Sequence, residues 1–279
     1  MALRGLLTLA LIWLLQSPAF GAIGSVDSLE GEVRIVTAGV ERAAAAGAEI
    51  NQGDLVRTGD NAWALLAMTD GGSLTLRPNS QLRFDTYRYD AGANAAQNSM
   101  FISLLTGAFR SVTGLIGRVN RAGYQITTPT STIGIRGTDH EPAYYPAGAP
   151  GGQEPGTYDK VNQGESFIRN PRGEVSLRPG QSGFVHFNAS TAPRLLPLAP
   201  AFYQTHAALD QRAAVRRQAF HQRFEQQNQR RLQERKQGEP RRELIEQRKQ
   251  ERQQLREQRR EEKQERRLER EKKRDRNKE

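Results

Sequence analysis

Between Gly24 and Phe187 the chain is a succession of short stretches in which apolar and polar residues alternate: EVRIV, DLVRTG, AWALLAM, SLTLRP, QLRFDTY, YQITT, STIGIRG, SFIRN, EVSLRPG and GFVHF. A period of two turns one set of side chains inward and the other to water, so these stretches read as strands and helix is poorly supported. Turn residues recur between them at close spacing, which favours an antiparallel all-β sandwich, barrel or solenoid. Thr69-Asp70-Gly71-Gly72 supplies residues that accept positive φ, so AWALLAM and SLTLRP are expected to form a hairpin. Pro78-Asn79 closes the second strand in a further turn.

An internal echo supports strands that turn corners at glycine. INQGDLVR (Ile50 to Arg57) is similar to VNQGESFIR (Val161 to Arg169), and LEGEVRIV (Leu29 to Val36) to LTGAFRSV (Leu105 to Val112). The spacing between copies is irregular, so this is no repeat array. Two stretches interrupt the strands: ERAAAAGAE, expected as a helical turn too short to stand alone, and PAGAPGGQEPG, expected as an exposed loop.

The ends of the chain differ from this body. MALRGLLTLALIWLLQSPAFGA has a basic residue, a short apolar run and small residues around Phe20, the pattern of a secretory leader over residues 1–21 with cleavage after Gly21. The apolar run falls short of the ~20 residues that cross a bilayer. The chain has no Cys, which excludes disulfides, thiolate metal sites and a catalytic thiol. From Asp210 onward there are 25 Lys and Arg against 15 Asp and Glu, so the whole net charge of +10 lies there. The expected organisation is therefore a leader (1–21), a β-domain (22–190), a linker (191–206) and a basic helical, partly disordered tail (207–279).

In that tail good helix formers dominate, and two helices broken at Gly238-Glu239-Pro240 are expected. Leu209, Ala213, Phe220 and Phe224 suggest a docking stripe, with Arg216 and Arg217 interrupting it. Leu244, Ile245, Leu255 and Leu268 are too sparse for a coiled-coil seam. The excess of cations suits an anionic envelope polymer or membrane surface. Export and the lack of interleaved aromatics argue against a nucleic-acid partner.

Read together, GDLVRTG (Gly53 to Gly59), TDGGSLTLRPNSQL (Thr69 to Leu82), LLTGAF (Leu104 to Phe109), TPTSTIGIRGTD (Thr128 to Asp139) and VNQGE…EVSLRPGQ (Val161 to Gln181) resemble the FecR domain in content and order. The resemblance spans about residues 24–187 and is carried by Gly53, Asp54, Arg57, Gly59, Asp70, Gly71, Pro129, Arg136, Gly137 and Thr138. The family is best known from iron-uptake regulation, where a membrane-anchored protein receives a signal from an outer-membrane transporter and controls a sigma factor. The resemblance implies a solenoid-like or sandwich-like β-domain that binds or senses outside the cytoplasm, an envelope protein as partner, and neither a catalytic site nor a cofactor.

The residues inviting a chemical reading are Asp139-His140-Glu141. Neighbouring strand residues point to opposite faces, so three in a row do not converge, and a strand end is expected. The alternative is a periplasmic hydrolase using His140, which requires a nucleophile or a second ligand beside that ring. Gly53, Gly59, Gly71 and Gly137 are assigned to positive φ or to tight backbone contact. Arg136 or Arg57 is expected to pair with Asp54 or Asp70, locking strand ends together; the alternative leaves Arg136 exposed to bind an acidic ligand.

Overall fold

The computed structural model describes residues 21–92, 95–149, 152–205 and 207–276. The expected leader, apart from Gly21, lies outside the described residues. The chain divides into two compact units, one up to Gln222 and one from Arg223 onward. Among the described residues the first holds sixteen strands, and the fold is mostly β with a C-terminal helix, as expected.

The expected hairpin is present: β6 (Trp63–Met68) and β7 (Ser73–Leu76) pair antiparallel from Ala64↔Leu76 to Ala67↔Ser73. Gly71 has φ +81 in the turn between them. Alternation sends Ala64, Leu66, Met68, Leu74 and Leu76 into the main apolar core, which also collects Ile35, Val56, Phe84, Ile102, Phe109, Ile126 and Ile168. Each of the Leu, Ile, Val, Phe and Met side chains, removed from water, contributes roughly 1.5–3 kcal/mol before the entropy of ordering it is subtracted.

Two long strands carry the chain between sheets. β9 (Ser99–Val112) pairs in its first half with β8 (Gln81–Arg88), antiparallel, and with β10 (Tyr124–Thr127), parallel. Its second half pairs with β7 and with β12 (Ala143–Tyr145). Gly107, with φ +86, separates the halves, and a Cβ there would run into the backbone of Ser80.

β13 (Gly156–Asn170) behaves alike. Its start pairs with β12 and β15 (Ser182–His186), its end with β11 (Thr132–His140) and β14 (Gly173–Leu177). Gly164, φ +77, lies against the Gly137 carbonyl, where the β11 register shifts between Arg136 and Asp139. β11 returns to β9 at Asp139↔Val112 and His140↔Ser111, so the pairing closes on itself in a barrel-like arrangement. The sequence echo thus marks real corners: Gly31, Gly53, Gly107 and Gly164 all have positive φ.

Three expectations are corrected. ERAAAAGAE is no helical turn: it holds β3 (Val40–Ala43), a turn with Gly47 at φ +82, and β4 (Glu49–Ile50). The backbone bonds Ala44 N–H to Val33 O and Val26 N–H to Ala48 O recruit it to the sheet, outweighing the helix preference of Ala. The stretch 191–206 is more than a linker, since β16 (Arg194–Leu196) pairs with β15 and a 3-10 turn at Ala201–Tyr203 buries Tyr203. The break at Gly238-Glu239-Pro240 is absent, because α2 runs over Ala207–Arg276. Pro240 deletes one backbone donor, a cost of ~3 kcal/mol that strong helix formers on both sides offset.

The short helix α1 (Leu115–Val119) follows β9. No helix among the described residues is long and apolar enough to cross a membrane.

Candidate functional site

Ser73 and Thr75 on β7 and Arg77 just after it share the face opposite the main core, and on β6 Trp63 and Leu65 share it with them. The register places Leu65 beside Thr75. The first turns of α2 cover this face: Leu209 and Ala213 pack with Trp63 and Leu65 in an apolar cluster of their own. Residues 209, 213, 217 and 221 recur every fourth position, so Arg217 and His221 continue the stripe. Arg217 is buried, and His221 Nε2 lies 3.2 Å from Ser73 Oγ. The stripe thus runs through 209, 213, 217 and 221, with Arg217 a member instead of an interruption.

Beneath the helix lies a buried ionic cluster. Arg77, 2% exposed, donates from Nη2 to Glu141 Oε2 and, at 3.0 Å, to Asp210 Oδ2. The Glu141 carboxylate also accepts from Lys160 Nζ at 3.2 Å and Asn162 Nδ2 at 2.9 Å, and its backbone carbonyl accepts from Tyr203 Oη at 2.9 Å. Arg110 grips Asp139 in a two-pronged pair at 2.8 and 2.7 Å. Burial works against both acids, but Arg77, Asn162 and Lys160 outweigh it at Glu141, and Arg110 and Asn162 do so at Asp139, holding both carboxyls below the usual range. Burial, and then neighbouring Arg110, push the Arg217 guanidinium down from its ordinary value.

Asp139-His140-Glu141 therefore splits as strand geometry requires. His140 is fully buried on its own side, with Nδ1 3.0 Å from Asp159 Oδ1, and Asp159 Oδ2 accepts from Ser166 Oγ at 2.6 Å. The order is His–Asp–Ser, with the hydroxyl on the acid rather than at the second ring nitrogen. His140 Nε2 has no hydrogen-bond partner. A nucleophile activated by this ring would have to stand there. Among the described residues no group of three His, Asp or Glu side chains converges as a metal would require.

The residues singled out in the sequence do not gather at one point. Asp54 is buried and accepts from Thr37 Oγ1 at 2.6 Å and the Asn51 N–H at 2.9 Å. Asp70, also buried, accepts from the Gly72 and Ile116 N–H groups at 3.0 and 3.2 Å, tying the hairpin turn to α1. The expected pairing with Arg57 or Arg136 is thus corrected: Arg57 reaches Glu41 at 3.8 Å and Arg136 reaches Glu165 at 3.4 Å, both at the surface. A turn aspartate finds backbone donors two residues on, closer than any strand arginine.

Thr138 links sheets through Oγ1 to Glu165 O at 2.7 Å and through its N–H to Thr113 Oγ1 at 3.1 Å. Gly53 and Gly137 have positive φ; Gly59 does not, but donates to Glu32 O and accepts from Asn79, the tight contact expected as the alternative. Pro129 is exposed beside the turn after β10.

Arg77, Arg110, Lys160, Asp210 and Arg217 were not legible as a site. They come from β9, β13, α2 and the segment just after β7, and no local spacing relates them. A separate cavity of about 400 Å³ lies between the Pro78-Asn79 turn, the Gly107 bend and Phe202, with Tyr145 and Gln153 in its wall.

Residues 54–147 match the family described as FecR protein, which bears out the resemblance over its central part. Two crystal structures of a protein from Parabacteroides distasonis, described as a candidate anti-sigma factor, are similar at 11% identity with TM-scores of 0.40 and 0.39. They cover 55% and 54% of this chain and 63% and 62% of theirs, so this chain spans less than two thirds of those structures. A structure described as a cell surface anchoring domain shares 31% identity over 22% of this chain and 82% of its own, at a TM-score of 0.21. No curated protein matches the chain.

Proposed function

We propose, from the FecR segment at residues 54–147, that this chain is an exported binding and sensing protein of the cell envelope that works without catalysis. That match is the observation that carries the reading. Its tempting acid and histidine side chains are consistent with it, since each is engaged inside the β-domain. The sandwich-like packing expected of the domain is supported by the way β9 and β13 each bend at a glycine to serve two sheets. The basic helix beyond Gln222 holds the domain to anionic envelope material.

Two measurements test this. With the full gene expressed in a bacterium, the mature protein should be recovered from the periplasm with Ala22 as its first residue; cytoplasmic protein retaining Met1 would overturn export. The full chain should co-sediment with phosphatidylglycerol vesicles at low salt, with retention lost at about 0.5 M salt, where the screening length shrinks to a few ångströms. A full-length variant with Arg256, Arg259, Arg260, Arg266 and Arg267 changed to Gln should lose most of that retention. Equal sedimentation of the two proteins would refute anchoring by the tail.

A further inference from the structure

The cavity of about 400 Å³ beside the Gly107 bend has one aromatic wall. Its size falls within the range of small-molecule sites, roughly 300–1,000 Å³. Phe202 packs edge-on against Tyr145 at 5.0 Å and Tyr158 at 5.2 Å, and tilts onto Tyr203 at 4.4 Å. These contacts join the wall to an apolar cluster around Tyr158 and Phe184, so packing holds its rings in place before a ligand arrives. Tyr145 and Phe202 remain only half-buried, and both line the cavity.

Asp60, Asn79, Thr106 and Gln153 bring polar side chains to the same cavity. The turn that carries Asn79 is fixed on both sides. Asn79 itself stands at φ +57, a left-handed backbone that Asn tolerates, and its N–H donates to Gly59 O at 3.1 Å, next to Asp60. Ser80 Oγ donates to Ala108 O at 2.8 Å and accepts from the Ala108 N–H at 3.0 Å, which ties the turn to the Gly107 bend. Among the described residues no Lys, Arg or His lines the cavity, and exposed Asp60 enters no ion pair. The Tyr145 hydroxyl meets no hydrogen-bond partner among those residues either; burial pushes it up to about 12, with Arg77 working against the shift.

This lining selects by chemistry. An anion finds no counter-charge and is repelled by Asp60. A wholly apolar ligand would strand a carboxylate and an amide away from water. A molecule with a C–H face and hydroxyls around its edge meets both demands: the negative ring faces attract the C–H groups, while the carboxylate, amide and phenol exchange hydrogen bonds with the hydroxyls. We infer that this cavity binds a neutral saccharide, with one sugar ring against Phe202 and Tyr145 and its hydroxyls on Asp60 and Asn79. The inference gives the binding protein proposed above its ligand class, and rests on that reading only for the place where the sugar is met, the cell envelope.

Purified full-length protein is titrated with cellotriose, maltotriose and tri-N-acetylchitotriose, and binding is followed by saturation-transfer NMR of the sugar protons. At least one of these neutral probes should bind with a Kd of about 1 mM or tighter, and trigalacturonate should not displace it. Asp60→Asn, at an exposed position, should weaken binding about tenfold with an unchanged unfolding midpoint. Phe202→Ala should weaken it by at least about tenfold, whereas Phe202→Trp, which keeps a ring platform, should retain it. Lack of binding by all the neutral probes at about 10 mM would overturn the inference, and spermidine bound through Asp60 in their place would assign the cavity to cations instead. Sugar binding that ignores both Asp60→Asn and Phe202→Ala would place the sugar elsewhere and overturn the site. The titration involves neither export nor vesicles, so its failure leaves those tests standing, and theirs leaves the cavity standing.

Discussion

Arg77 and Glu141 show how a single side chain fixes the arrangement around it. Each is nearly sealed from water, and removing Arg77 would leave the buried Glu141 carboxylate with only Lys160 and Asn162. Arg77→Met should cost about 3–5 kcal/mol in urea unfolding, because it strands a buried carboxylate. Adding Glu141→Leu in the same chain should recover a large part of that loss; a double variant as weak as the single one would mean that the arginine acts mainly by packing. The pH response follows from the same groups. Glu141 and Asp139 are held below the usual carboxylate range, so their charged forms stabilise the fold. That contribution is complete above the unfolded values near pH ~4 and is lost as pH falls through the lowered folded values. Asp70 opposes them: burial raises its value despite the Gly72 and Ile116 donors, so its contribution is greatest at low pH and declines as pH rises through the raised value. Urea midpoints should drop below pH ~4, and by less in Glu141→Gln. At Gly164 the constraint is backbone: φ +77 against the Gly137 carbonyl leaves no room for a methyl group. Gly164→Ala should destabilise by about 2–4 kcal/mol, combining left-handed strain with overlap, as read by thermal unfolding.

At the scale of elements, the strands were legible and their partners were not. A period of two identified the β6 and β7 hairpin, down to Gly71 in its turn, because hairpin pairing is local. Of the two long strands, alternation marked only the SFIRN end of β13 and no part of β9; at Gly107 and Gly164 the chain bends and continues in another sheet. The helix was legible from composition, but its interruption was misread, because a single Pro removes one rung of a ladder that both flanks sustain. Pro240→Ala should therefore change far-ultraviolet ellipticity by under a tenth while raising helix stability. A large gain in helicity would show that the segment does break at this point. The stripe on α2 was half legible: Leu209 and Ala213 follow the apolar rule, whereas buried Arg217 and half-buried His221 defy it, and the polar face that continues from β7 accounts for their place.

Across the whole molecule, the +10 net charge is confined to the region after residue 209, leaving the β-domain balanced. Attraction to anionic material should accordingly depend on salt, whereas folding of the domain, governed by its apolar core and sealed ion pairs, should not. Urea midpoints measured at 0.05 and 0.5 M salt should agree within the error of extrapolation, while vesicle retention changes severalfold. The alternation of side chains, the glycine corners, the missing thiols and the charge asymmetry were all present in the linear order, because each depends on residues a few positions apart. The joining of Arg77 to Glu141 and Asp210, of His140 to Asp159, and of Ser73 to His221 crosses 64, 133, 19 and 148 positions. Such contacts exist only once sheets have closed and a helix has settled on one of their faces, and nothing local in the chain specifies which distant charge will be sealed in with which.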